Sequence, residues 1–64
     1  MKTSSLVHSD MITLLKGHGF DYGDTSSILA QIYENSGRWL TVPVLGRQPI
    51  EVKYNRNTRT YNVR

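Results

Sequence analysis

The feature that most constrains this chain is a mirror pattern in its last fourteen residues, Glu51 to Arg64, which read EVKYNRNTRTYNVR. Reflected about the Asn57–Thr58 bond, Val52 faces Val63 and Tyr54 faces Tyr61. On the alternate parity Glu51 meets Arg64, Lys53 meets Asn62 and Asn55 meets Thr60. Apolar residues meet apolar ones on one face and acid meets base on the other, the cross-strand pairing that stabilises an antiparallel hairpin and fixes its register. A two-residue turn at Asn57-Thr58 produces this register. A three-residue Arg56-Asn57-Thr58 loop is the alternative, because threonine tolerates positive φ poorly. Either way Arg56 and Arg59 sit at the tip.

Alternation also marks the stretch RWLTVPVL. Leu40, Val42 and Val44 face one way, and Trp39, Thr41 and Pro43 face the other. Pro43 has no amide hydrogen to donate, which predicts an edge strand. Gly46 to Pro49 then turns the chain. Upstream the period is helical. Val7, Met11, Leu14 and Leu15 form one stripe, predicting a helix over 5–17 with Ser5 or Ser9 as N-cap and Gly17 and Gly19 as the stop. Ile28, Leu29, Ile32 and Tyr33 form a second stripe, predicting a helix over 24–36 capped by Asp24 or Thr25 and ended by Asn35, Ser36 and Gly37. Residues 1–4 are expected to fray. With strands near 38–45, 50–55 and 60–64, the expectation is one small α+β domain over 1–64. Two N-terminal helices would pack on one face of a three-stranded antiparallel meander, in the order ααβββ. Leu14, Leu15, Ile28, Ile32, Leu40, Val42, Val52 and Val63 are expected to be the most buried.

Sixty-four residues with no cysteine leave no disulfide, no thiolate zinc site and no cysteine nucleophile. His8 and His18 are the only imidazoles, so neither a metal nor a cofactor is expected. Leu6-Val7 is followed at once by His8, Ser9 and Asp10, so no secretory apolar core forms, and no run reaches the length of a membrane span. A cytoplasmic protein is the expectation. The net charge of +3 is unevenly spread. Residues 1–36 carry two lysines against four acids, a net −2, whereas residues 37–64 carry six cations against Glu51 alone, a net +5. Such asymmetry points to a polyanionic partner.

Lys53, Arg56, Arg59 and Arg64, with Asn57 and Asn62, form the candidate nucleic-acid-binding set. Cations neutralise phosphates, asparagine amides read base edges, and a β-ribbon fits a duplex groove. A helix-turn-helix is not expected. The connection from Gly17 to Asp24 is about twice the three or four residues that motif uses, and no basic residue lies between Lys16 and Arg38. HGFDYGD, His18 to Asp24, spaces a histidine and two aspartates for metal or acid–base work, but its residues already serve to end one helix and begin the next. Tyr33, Tyr54 and Tyr61 are expected in the core. Trp39, beside Arg38, is expected on the outer face as a partner-interface anchor, next to an edge strand open to a protein partner or a second copy.

These features favour a small, non-enzymatic nucleic-acid-binding accessory or regulatory protein of the kind found in phage and mobile-element regulation, with DNA ahead of RNA as partner and no membrane. The second reading is a protein–protein module, an inhibitor or adaptor, using Trp39 and the edge strand. The third is a tiny ribonuclease toxin with His18 or Tyr61 moving protons.

Overall fold

A computed structural model describes residues 4–64. The elements run β1 (Ser4–Leu6), α1 (His8–Gly17), α2 (Tyr22–Glu34), β2 (Leu40–Val42), β3 (Ile50–Asn55) and β4 (Thr60–Val63). The four strands form one antiparallel sheet in the order β1-β4-β3-β2. The class is α+β as expected, but the sheet has four strands and the order is βααβββ. The additional strand is β1, which pairs Ser4 with Val63, Ser5 with Asn62 and Leu6 with Tyr61. Ser4, expected to fray, lies in this strand; the other residues of that expectation fall outside the described ones.

The hairpin register is the one its mirror pattern dictates: Val52 opposite Val63, Lys53 opposite Asn62, Tyr54 opposite Tyr61 and Asn55 opposite Thr60. Glu51 and Arg64 extend it by exchanging two backbone hydrogen bonds, each 3.0 Å. The loop differs. It comprises four residues, Arg56 to Arg59, where two or three were expected. Lengthening a two-residue turn by one residue on each side preserves the register, so the pairing pattern cannot tell the two apart.

Pairing in β1 keeps the chain extended through Val7 (φ −79°, ψ 168°), so α1 starts at His8, and neither Ser5 nor Ser9 caps it. Asp10 in its first turn and Lys16 in its last complement the helix dipole. Gly19 takes φ 95°, and Phe20 N–H donates back to the Leu15 carbonyl at 3.2 Å, which turns Phe20 against the core. The second helix begins earlier than expected, because Asp21 supplies the cap. Its carboxylate accepts from Asp24 N–H at 2.7 Å, so Asp24 lies within the first turn. The third expected strand shrinks from 38–45 to Leu40–Val42, since Pro43 cannot donate to the ladder. It remains an edge, as predicted.

Both helices cover one face of the sheet. Met11, Leu15, Leu29, Ile32, Val42, Val52 and Tyr61 form the buried cluster. Four of the eight residues expected to be most buried belong to it. Leu14, Ile28, Leu40 and Val63 are partly buried around its edge, while Met11, Leu29 and Tyr61 take the central positions. Leu15 is fully buried and Leu45 is 98 % exposed. Leu15→Ala should therefore cost about 2–5 kcal/mol, and Leu45→Ala no more than about 0.5 kcal/mol, in urea unfolding followed by circular dichroism.

Candidate nucleic-acid interface

Alternation in β3 and β4 sends Val52, Tyr54, Tyr61 and Val63 toward the helices, and their sequence neighbours to the uncovered face. On that face Lys53 and Arg64 converge on Trp39. The Arg64 guanidinium carbon lies 3.9 Å from a Trp39 ring centroid, and the Lys53 ammonium 4.9 Å. Arg64 Nε also donates to Glu51 Oε1 at 3.1 Å, and the Ser5 hydroxyl donates to Asn62 Oδ1 at 3.1 Å. Exposed cation–aromatic contacts of this kind contribute about 0.5–1 kcal/mol each. Trp39 lies on this outer face as expected, and it is half-buried there because its ring supports two cations. Arg38 is exposed beside it.

The other predicted cations are at the hairpin tip. Asn55 Oδ1 accepts from Asn57 N–H at 2.9 Å, and the Thr58 and Thr60 hydroxyls share a 2.6 Å hydrogen bond. Arg56, Asn57 and Arg59 are exposed. Arg59 adopts φ 56°, a left-handed conformation that costs a non-glycine residue roughly 1–2 kcal/mol. Arg56 curls toward the helices, its guanidinium carbon 5.9 Å from the Tyr33 ring centroid. The predicted set thus divides in two: Lys53, Asn62 and Arg64 on the open sheet face, and Arg56, Asn57 and Arg59 at the tip. Among the described residues the only ion pair is Glu51–Arg64, with about 43 % of each side chain exposed.

The connection between the helices is His18 to Asp21, four residues, so the length objection to a helix-turn-helix falls away. The charge objection stands. Asp21 and Asp24 occupy the start of α2, where a recognition helix enters the negatively charged groove, and α2 contains no cation. Ser27, Gln31 and Asn35 are exposed, but Asn35 Nδ2 donates to the Gln31 carbonyl at 2.8 Å and serves the helix end. No group of three potential metal ligands occurs among the described residues, and none of their helices is long and apolar enough to cross a membrane.

The tyrosines form a feature that the sequence reading missed. Tyr33 and Tyr54 have ring centroids 5.0 Å apart, and Tyr54 and Tyr61 4.8 Å apart, both pairs tilted. Tyr61 is buried and Tyr54 half-buried, whereas Tyr33 is 51 % exposed. Tyr61 Oη lies 3.2 Å from His8 Nδ1. With Tyr22 the cluster borders a cleft of about 450 Å³ between the helices and the hairpin. The signal for it was the tyrosine at each of positions 33, 54 and 61, one on a helix and two directly opposed in the hairpin.

No family model, no curated protein and no solved structure matches the chain.

Burial pushes the Tyr61 phenol above its ordinary pKa, and the nearby Tyr54 and Tyr33 hydroxyls push it the same way. In the unfolded chain this phenol loses its proton near pH 10, before the folded one does. Between that pH and the higher folded pKa the native state binds more protons than the unfolded state, so stability falls as pH rises. Tyr61→Phe should flatten the decline in stability above pH 10 in urea melts, with the fold retained at pH 7.

Proposed function

We propose that the chain is a small, non-enzymatic nucleic-acid-binding accessory protein that contacts phosphates through its C-terminal hairpin, with duplex DNA ahead of RNA as its partner. The observation that carries this reading is the distribution of charge on the hairpin. Lys53 and Arg64 stand on an uncovered sheet face, Arg56 and Arg59 are exposed at the tip, and one carboxylate, Glu51, balances them. Cations held around an indole and exposed ones at a tip suit contacts that position a duplex without reading its sequence. Arg59 adds a second reason. Keeping a cation in a conformation that glycine adopts without strain is understandable where the guanidinium itself is used.

The protein–protein reading has less support. Trp39 is partly covered by its two cations, and the β2 edge is three residues long and followed by Pro43, devices that discourage strand addition.

Replacing Arg56 and Arg59 together by alanine should weaken binding to all duplex sequences alike. The slope of log affinity against log salt should shrink by roughly 0.9 for each phosphate contact removed. Unchanged affinity in a correctly folded double variant would overturn the proposal. Arg59→Gly separates binding from stability. It should relieve the backbone strain and raise the unfolding free energy by up to about 1 kcal/mol, while weakening duplex binding. Paired denaturation and fluorescence-anisotropy measurements report both.

A further inference from the structure

The cleft beside the hairpin has a composition that selects its ligand. Its floor is buried Tyr61 with half-buried Tyr54, and its rim is Tyr22 and Tyr33, which are 70 % and 51 % exposed. A volume of about 450 Å³ falls within the range of small-molecule sites. Aromatic walls accept either a cation or a flat ring, and the surrounding charge discriminates between them. The Lys16 ammonium stands 5.4 Å from the Tyr22 ring centroid, and the Arg56 guanidinium stands over Tyr33. Among the described residues no carboxylate lines the cleft. A quaternary ammonium would meet a cation over each rim tyrosine and no counter-ion in the described lining. A flat ring bearing a negative group would stack on tyrosine and meet those cations favourably.

The polar groups of the lining are hydrogen-bonding ones. Besides the phenols they include His8 and Ser26, which suit hydrogen bonds to the edge of a heterocycle. Thr25, also in the wall, is 1 % exposed, and among the described residues its hydroxyl has no hydrogen-bond partner.

We infer that this cleft binds a nucleobase carrying a phosphate. The ring lies against Tyr33 and Tyr54, above the Tyr61 floor, and the phosphate meets the Arg56 guanidinium that stands over Tyr33. The ligand is either a free nucleotide or one unstacked base of a strand lying along the hairpin. As a free-nucleotide site it needs no contact with the outer sheet face and shares only Arg56 with the hairpin reading; as a site for a base within a strand it rests on that reading.

The test is an amide chemical-shift titration of the labelled chain with adenosine and uridine monophosphates, adenosine, inorganic phosphate, choline and a short single strand. Both monophosphates should shift the amides of Thr25 to Tyr33 and of Tyr61, and adenosine should do so more weakly. Shifts with the monophosphates assign the site to free nucleotides; shifts with the strand alone assign it to a base within a strand. Tyr33→Ala should weaken binding roughly 5- to 150-fold, the worth of one stacking partner. Ala30→Trp, at an exposed position on the cleft wall, should abolish it by filling the space. Three results would overturn the inference: no shift of these amides by any nucleotide at millimolar concentration, larger shifts with choline than with the monophosphates, or undiminished binding by a folded form of either variant. Arg59→Ala alone leaves Arg56 at the cleft, so duplex binding by that variant, read separately, tests the hairpin without counting against the cleft.

Discussion

Two short helices can cover only one face of a four-stranded sheet, and most of this molecule follows from that shortage. The strands must alternate strictly, apolar toward α1 and α2 and polar toward solvent, because a slip of one residue would exchange the two sets. Val52 and Tyr61 therefore go in, and Lys53 and Asn62 go out. The uncovered face cannot be apolar. It becomes the place where charge gathers, and Trp39 is accommodated there by lying against Lys53 and Arg64. The basic surface is thus a consequence of how little helix the chain contains, as well as a candidate for binding.

Legibility from sequence followed the length of the local pattern. The hairpin could be read residue by residue because five successive pairs agree, and its tip could not, because turns of two and four residues give the same pairing. β1 was hidden for a different reason. Three residues, two of them serine, are too short for a period-two signal, and Leu6-Val7 fits the helical stripe of Met11 and Leu15 equally well. Only the partner strand, more than fifty residues away, decides the matter. At α2 both Asp21 and Asp24 are good caps, and the helix uses the earlier one.

The same distinction holds for the candidate sites. Charge asymmetry is additive along a sequence, so the cationic hairpin was visible at once. The tyrosine cleft is a product of packing, which brings Tyr22 and Tyr33 on α2 toward Tyr54 and Tyr61 on the hairpin. Counting aromatics in a short chain favours the core, and for Tyr61 that is correct. The chain has more rings at this point than its core can enclose, and the surplus makes a wall. Gly37, at φ 87°, contributes by donating its N–H to the Tyr54 carbonyl at 3.0 Å, which ties the end of α2 to the strand carrying that ring.

β4 is an interior strand, flanked by β3 and β1, although it is the last of the elements in chain order. During synthesis from the N-terminal end, β1, both helices, β2 and β3 all leave the ribosome before it. Until then β1 has no neighbour to pair with, and the helices lack the strand that supplies Tyr61. Sheet closure must wait for residues 60–63 and then join segments separated by most of the domain, a slow kind of event because loop-closure entropy is lost before the contacts form. A nascent chain halted after β3 would carry the helices' apolar faces without the strand that completes their cover, which makes the interval before β4 emerges the period of greatest exposure to proteases and chaperones.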